Sequence, residues 1–286
     1  MRPALRRLVR WELAAVLMGG LLGACAPEEP RDVRPLVMVS VAPQGFVVKA
    51  VAGELVRIEV MIPPGANPRS YEPTMGQLRA LEEAALYVEV GHPNFPFEQA
   101  WLERLLAEVP GLPVVDASAG LALEVGDPHV WLAPRHVVHM AVRTTSALER
   151  ILPEHRELLR ENLAAFRVRV EDLDREIRGL LEGLDGAEFF VFHPAWGYFA
   201  EAYGLRQVAI EKEHKEPDLH QLAELIQQVE AARARVIFVQ PQFDPTSAET
   251  IAHETGARVE VLDPLAEDWD ANLRRAAHAL AEGLAP

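Results

Sequence analysis

Cysteine is almost absent from this chain of 286 residues, which contains only Cys25. A single cysteine cannot form a disulfide within the chain, and it cannot supply the cysteine clusters of structural zinc sites. The fold must therefore depend on an apolar core. The hydrophobic fraction of 49% is ordinary for a globular protein. The length allows one large α/β domain or two smaller lobes.

Positive charge is also scarce. The chain has 28 Lys and Arg residues against 43 Asp and Glu residues, which gives a formal net charge of -15. Such an excess of negative charge argues against nucleic acid or an anionic lipid surface as the main partner. It is compatible with a cationic ligand.

Long hydrophobic runs are limited to the N-terminus, where residues 13–22 form an apolar stretch too short to span a bilayer. The preceding basic residues are Arg2, Arg6, Arg7 and Arg10. The stretch ends Leu22-Gly23-Ala24-Cys25, which resembles a bacterial lipobox and implies cleavage before Cys25 and lipid attachment to its sulfur. We therefore predict a lipoprotein signal peptide over residues 1–24 and a flexible tether over residues 25–34. The alternative is an ordinary signal peptide with an incidental cysteine.

Apolar β-rich segments and amphipathic helical segments alternate through the rest of the chain. This alternation predicts an α/β fold with parallel sheets, as an N-terminal lobe over residues 35–152 and a C-terminal lobe over residues 185–286. Between them, apolar residues recur every three or four positions over residues 153–184. They predict one linking helix of roughly 45 Å. A coiled-coil dimer is the weaker reading because the apolar stripe covers few heptads.

Polar side chains stand where predicted strands end. The aromatic run 189–192 stops at His193, immediately before a predicted helix. Other apolar runs stop at His92, Gln240 and Asp263. In open α/β sheets ligands bind outside the carboxyl ends of the strands, so these side chains are expected to converge. A further histidine, His129, lies in a loop after Asp127-Pro128. Imidazole and carboxylate together suit zinc or manganese, and the pattern predicts one metal site.

Each of these residues also has an ordinary explanation. A histidine that closes a buried strand, such as His193, is more often a hydrogen-bonded core residue, and a loop histidine such as His129 is often merely solvated. Asp263 is typical of a turn before the next helix, and Gln240 is typical of a buried polar side chain that closes the end of a strand. The prediction depends on their occurring together at successive strand ends.

Five stretches of the sequence resemble the zinc- and manganese-binding, TroA-like solute-binding lipoproteins of bacterial ABC importers. They are PPGANPRSYEPT (63–74), DPHVWL (127–132), HPAWGYF (193–199), VIFVQPQ (236–242) and LDPL (262–265). The resemblance implies two α/β lobes joined by a long helix, with the metal held in the cleft between them. It also implies a monomer outside the cytoplasm that delivers metal to a membrane permease. By motif position, His129, His193 and Asp263 are the implied metal ligands.

One position departs from the family pattern. The first of these stretches carries a histidine ligand in the family, where this chain has Arg69. Arginine stays protonated and has no lone pair for a cation. Three readings remain open: three protein ligands plus water, a histidine from elsewhere, or an anion held by Arg69. We favour His92 as the replacement, with His214 as the next candidate.

Zinc is the expected cargo, because three imidazoles and one carboxylate form a closed tetrahedral set. Manganese would be favoured by more oxygen ligands, and Gln240 is a possible source. Two alternative functions remain: a binding protein for a metal chelate or oxyanion bound by Arg69, and a secreted metallohydrolase with Glu72 or Glu216 as the general base. Glu72 is also a candidate for an additional ligand or for a residue that supports the ligands. The sequence has no His-Glu-x-x-His motif, so we expect no enzyme. We expect His136 and His139 to lie on the surface of a helix.

Overall fold

Each half of the chain folds around a four-stranded, fully parallel sheet. The computed structural model describes residues 32–211 and 217–284. The first sheet has the order β2-β1-β3-β4, from β1 (Leu36–Val39), β2 (Arg57–Val60), β3 (Ala84–Glu89) and β4 (Val114–Asp116). The second has the order β6-β5-β7-β8, from β5 (Glu188–Val191), β6 (Arg206–Ala209), β7 (Val236–Val239) and β8 (Arg258–Val261). The two sheets therefore share one topology.

Burial along the strands follows their position in the sheets. The interior strands β1 and β7 are buried at every residue, because helices cover both faces of a parallel sheet. The edge strands β2 and β8 carry charged residues in alternation and are half-exposed. Charge on an edge strand opposes pairing with another chain. The continuous apolar runs in the sequence thus mark the strands that the sheets enclose.

The helices connect the strands in the predicted order. In the first lobe they are α1 (Ala42–Ala52), α2 (Met75–Glu83), α3 (Glu103–Glu108) and α4 (Pro134–Ile151). The linking helix is α5 (Arg156–Leu180). In the second lobe they are α6 (Gly197–Ala202), α7 (Leu219–Ala232), α8 (Thr246–Thr255) and α9 (Trp269–Leu284). Among the described residues, no helix has the length and apolar character needed to cross a membrane.

The long helix α5 contains 25 residues, about 37 Å, and follows a short 3-10 turn at Pro153–His155. One face, including Phe166, Val170 and Ile177, is buried. It packs on α1 and α4 in the first lobe and on α9 in the second. The predicted fold of two parallel-sheet lobes joined by one long helix is confirmed.

The helical segment between β3 and β4 is divided into two parts. Glu98–Leu102 forms a π-helical turn before α3 begins. The wider turn accompanies a Glu98 side chain that is buried and bonded to the ends of two strands, described below. A pattern of apolar residues carries no signal for such a turn, and π-turns often accompany functional sites.

One apolar cluster runs through both lobes. It joins the first sheet and its helices to α5, to α9 and to one face of the second sheet. A smaller cluster, which includes Phe190, Leu225 and Ile237, fills the other face of the second sheet. The lobes are consequently not separate globules on a flexible link; their cores are continuous.

Two buried tryptophans connect the lobes, because each indole N–H donates to a backbone carbonyl oxygen of the opposite lobe. Trp131 of the first lobe donates its indole N–H to the carbonyl oxygen of Pro264 at 2.7 Å. Trp269 of the second lobe donates to the carbonyl oxygen of Trp131, also at 2.7 Å. Each side chain is 1% exposed. Most buried indole N–H groups have an acceptor, although Trp196 Nε1 is buried here without one among the described residues. The two bonds of Trp131 and Trp269 hold the lobes and the loops that carry these residues.

We expect Trp269→Phe to lower the free energy of unfolding by about 2–4 kcal/mol, because it leaves a cavity and removes the donor to the Trp131 carbonyl. Urea unfolding of the purified protein measures this. Trp101→Phe is the matched control, since Trp101 is only partly buried. It should cost less than about 1 kcal/mol. Equal losses in the two variants would show that the interlobe bond contributes nothing.

Candidate metal-binding site

His193 lies just beyond the carboxyl end of β5, where the strand order of the second sheet reverses. Its backbone N–H donates to Gln240 Oε1 at 2.9 Å, and its Nδ1 lies 2.7 Å from Glu211 Oε1. The ring of Phe243 stacks on the imidazole with the centroids 4.5 Å apart. Three contacts therefore fix the position and the rotation of this ring.

The Glu211 carboxylate also sets the tautomer of His193. A carboxylate only accepts, so the Nδ1–H of the neutral ring donates to Glu211 and the lone pair is on Nε2. Burial lowers the pKa of His193 from its ordinary value, and the hydrogen bond to Glu211 opposes that effect. The neutral imidazole is the form that binds metal.

His129 has the same arrangement in the first lobe. Its backbone N–H and its Nδ1 lie 2.9 and 2.7 Å from Asp127 Oδ1. The Asp127 carboxylate, two residues earlier in the chain, thus holds the ring and leaves the lone pair on Nε2. The sequence contained this signal in Asp127-Pro128-His129, although we had not assigned Asp127 a role.

The two imidazoles meet across the boundary between the lobes. Their ring centroids are 5.3 Å apart and the planes are inclined by 75°. A tetrahedral zinc ion about 2.1 Å from each Nε2 holds two ring centres roughly 5 Å apart. The observed separation fits two ligands of one ion.

A small pocket surrounds this pair. It has a volume of about 30 Å³, and residues from both lobes line it, among them Arg69, His129, His193, Gln242 and Leu265. One ion or a few water-sized species fill such a space, whereas organic ligands occupy about 300 Å³ or more. Among the described residues, no three His, Asp or Glu side chains are already grouped closely enough to hold a metal.

Asp263 stands one hydrogen bond away from the pocket. Its Oδ1 accepts from Gln242 Nε2 at 2.8 Å and from the backbone N–H of Leu265 at 2.9 Å. Both donors bind the same oxygen, so Oδ2 is the oxygen left for a metal. The structure brings His129 and His193 together. Asp263 does not line the pocket but bonds Gln242, which does.

Arg69 lines the pocket from the first lobe. Its loop is held by Gln77, which accepts from the Tyr71 hydroxyl at 2.7 Å and donates to the Met61 carbonyl at 2.6 Å. Burial lowers the pKa of the Arg69 guanidinium, and the Glu211 carboxylate opposes this. Arg69 therefore acts on the same carboxylate that holds His193.

His92, the expected replacement ligand, is not among the pocket-lining residues, and both of its ring nitrogens lie near backbone groups. Its Nδ1 accepts from the backbone N–H of Asn94 at 3.0 Å, and its Nε2 lies 3.1 Å from the carbonyl oxygen of Glu124. Both ring nitrogens are committed to backbone groups. Burial also lowers the pKa of His92. To bind metal it would have to break one of these bonds and rotate.

The remaining candidates have other places. The Gln240 side-chain oxygen accepts the backbone N–H of His193 and so holds that residue in position. Glu72 is exposed and is not among the pocket-lining residues. His136 is 4% exposed and packs on Tyr198, contrary to the surface position that we expected. His139 is partly buried and bonds the Ala119 carbonyl. His214 and Cys25 lie outside the described residues.

Comparison with known proteins identifies the family. A family model described as the periplasmic component A of the zinc-uptake complex, ZnuA, matches residues 37–283. The chain belongs to the ZnuA family. Family membership makes it a metal-binding periplasmic component of a zinc-uptake ABC system and not an enzyme. The predicted family is confirmed, and the metallohydrolase alternative is set aside.

Individual members of the family are moderately similar. The high-affinity zinc uptake system protein ZnuA of Haemophilus ducreyi is 27% identical over 261 residues, which cover 80% of this chain and 84% of that protein. The zinc-binding lipoprotein AdcA of Streptococcus pneumoniae is 28% identical over 279 residues. These cover 88% of this chain but 54% of AdcA, so the chain spans about half of that protein.

Solved structures show the same architecture. A crystal structure of a ZnuA is 39% identical, with a TM-score of 0.85, and the match covers 88% of this chain and 100% of that one. The periplasmic zinc-binding protein TroA of Treponema pallidum is 20% identical over 88% of this chain and all of its own, with a TM-score of 0.79. At that identity the likeness shows the fold alone.

A second buried carboxylate lies at the strand ends of the first lobe. Glu98 Oε1 accepts from the Ser40 hydroxyl at 2.5 Å and from the Val90 N–H at 2.6 Å, and Oε2 accepts from the Gly91 N–H at 3.0 Å. Gly91 has φ +76°, and a Cβ there would meet the Asp116 carboxylate. Glu98 thus joins the ends of β1 and β3 beneath the loop that carries His92.

Burial raises the pKa of Glu98 to about 7, against hydrogen bonds that lower it. The folded chain therefore keeps this proton up to about pH 7, whereas the unfolded chain releases it near 4.5. Between these values the folded state binds more protons, so stability falls as pH rises.

As pH rises from 4.5 to 7, we expect the free energy of unfolding of wild type to fall by about 3 kcal/mol more than that of Glu98→Gln. Urea unfolding at a series of pH values measures the difference. Glu103→Gln, on the neighbouring α3 at an exposed position, is the control and should behave as wild type. Parallel curves for wild type and Glu98→Gln would contradict the shifted pKa.

Proposed function

We propose that this protein captures Zn²⁺ in the pocket between its lobes and delivers it to an ABC permease. In this proposal the ion is bound by Nε2 of His129, Nε2 of His193 and Oδ2 of Asp263. One observation carries the proposal: two imidazoles from different lobes have their ring centroids 5.3 Å apart, and each has its Nδ1 held by a carboxylate, buried in Glu211 and partly buried in Asp127. Carboxylate-bound histidines of this kind are typical of metal sites.

The charge of the site supports a bare cation. Among the described residues that line the pocket or bond directly to its lining residues, Asp127, Glu211 and Asp263 are acidic, and Arg69 is the opposing cation. An excess of two negative charges remains, which one divalent ion neutralises. Buried charge is costly unless it is paired. The pocket is also too small for an organic chelate. We therefore propose that Arg69 interacts electrostatically with Glu211 and does not bind an anion.

Zinc is favoured over manganese as the cargo. Imidazole nitrogens suit zinc, and the similar proteins of Haemophilus ducreyi and Streptococcus pneumoniae are named for zinc uptake and zinc binding. Copper and nickel bind such donors at least as strongly, so affinity alone does not define the cellular ion.

The fourth ligand must replace the histidine that Arg69 displaces. His92 has both nitrogens bonded to the backbone, which makes it a poor replacement. His214 follows Glu211 by three residues in the sequence, and Glu211 contacts His193. We propose His214 or a water molecule as the fourth ligand.

We also propose that the mature protein is a monomer anchored outside the cytoplasm by lipid on Cys25. The lipobox-like Leu22-Gly23-Ala24-Cys25 supports this, as does the description of AdcA as a lipoprotein. Two α/β lobes around one cleft need no second copy to complete the site.

We expect His129→Ala, His193→Ala and Asp263→Ala each to weaken zinc binding by more than about 100-fold, because each removes a direct ligand. Arg69→Ala should change affinity by less than about tenfold, since arginine is not a ligand. Competition with a zinc-binding dye, in metal-free buffer, gives the affinities. If Arg69→Ala binds as poorly as His193→Ala, the guanidinium belongs to the binding machinery and an accompanying anion must be sought.

Two further variants identify the fourth ligand in the same assay. His92→Ala should bind zinc like wild type. His214→Ala should weaken binding if that histidine is the ligand, and should have no effect if the ligand is water. A loss in His92→Ala alone would restore our first expectation for that residue.

We expect Cys25→Ser to abolish membrane attachment without changing zinc affinity. Detergent phase partition of cell extracts should place wild type in the detergent phase and the variant in the aqueous phase. Incorporation of labelled palmitate into wild type provides the direct check. If wild type stays aqueous and unlabelled, Cys25 is incidental.

A further inference from the structure

Gln242 is a pocket-lining residue that the sequence did not single out. Its Nε2 lies 2.8 Å from Asp263 Oδ1. Because a carboxylate can only accept, the end of the amide that faces Asp263 must be the NH₂ group. The hydrogen bond therefore determines where the other end, the carbonyl oxygen Oε1, is placed.

That oxygen is buried and, within the described part of the chain, has no hydrogen-bond partner. Buried amide oxygens are normally satisfied, and one that is not calls for an explanation. Gln242 shares the pocket with His129 and His193. A cation bound between the two histidines is therefore a candidate partner for this oxygen.

The neighbouring glutamine, Gln240, is a weaker candidate because its amide oxygen is already bonded. Gln240 Oε1 accepts the backbone N–H of His193, and the Gln240 atom that is left over is its NH₂ nitrogen, a donor, which cannot bind a cation. A tight turn, with the Phe243 N–H bonded to the Gln240 carbonyl at 3.1 Å, joins the two glutamines to the ring that stacks on His193.

We propose that Gln242 Oε1 is a ligand of the bound metal in addition to the four ligands of the proposed function, oriented by Asp263, and that it sets the balance between zinc and manganese. The inference rests on the proposed function, since it concerns the same site. Asp263 then has two tasks: Oδ1 positions the amide, and Oδ2 faces the ion. A neutral oxygen added to two imidazoles favours manganese more than zinc, because oxygen ligands suit the harder ion.

The test compares Gln242→Met and Gln242→Glu with wild type. Both variants remove the NH₂ group that bonds Asp263, but only Gln242→Glu keeps an oxygen at the end of the side chain. Zn²⁺ and Mn²⁺ affinities are measured by dye competition, and the visible spectrum of the Co²⁺-loaded protein reports the ligand set. Gln228→Met, at an exposed position on α7, is the matched control.

We expect Gln242→Met to weaken manganese binding by at least about tenfold and zinc binding clearly less, with an altered Co²⁺ spectrum. Gln242→Glu should restore manganese binding, which a purely structural role of the amide would not produce. Gln228→Met should match wild type.

Two results separate this inference from the proposed function. If wild type binds zinc tightly and Gln242→Met keeps both the zinc-to-manganese ratio and the Co²⁺ spectrum, the inference fails and the proposed function stands. Equal weakening in Gln242→Met and Gln242→Glu also overturns it, because the amide would then serve only to hold Asp263. If wild type binds neither ion, both proposals fail.

Discussion

Two buried indole N–H groups each find an acceptor in the backbone of a loop at the cleft. Trp131 bonds the carbonyl of Pro264, and Trp269 bonds the carbonyl of Trp131. Trp131 follows His129 by two residues, and Pro264 directly follows Asp263. These two bonds therefore hold together the loops that carry His129 and Asp263.

The same device positions an imidazole in each lobe. Asp127 holds His129 and Glu211 holds His193, in both cases through Nδ1, so both rings present Nε2 to the same small space. The carboxylates also supply the negative charge that a divalent ion requires. The two histidines and the charge around them are thus prepared before the ion arrives. Among the described residues no third His, Asp or Glu side chain is yet close enough to complete a metal site, so binding must draw a further ligand toward this pair.

Sequence patterns predicted the parts of this protein that periodicity controls. Buried strands, amphipathic helices and the strand end at His193 all follow from spacing and polarity. The patterns cannot specify the direction of a side chain where a single hydrogen bond decides it. His92 ends near a strand as expected, yet Asn94 and Glu124 turn its ring to the backbone. Gln240 and Gln242 are two residues apart in a turn, and only their hydrogen bonds distinguish them. Gln240 holds the backbone of His193, whereas Gln242 bonds Asp263 and lines the pocket.

The continuous core has a consequence for the life of the protein in the cell. Because one apolar cluster includes both lobes and the long helix, the chain should unfold as one cooperative body, and a bound ion stabilises all of it by mass action. The metal-free form is then the more easily degraded form everywhere along the chain. The amount of this protein that survives proteolysis would therefore follow the supply of its own cargo.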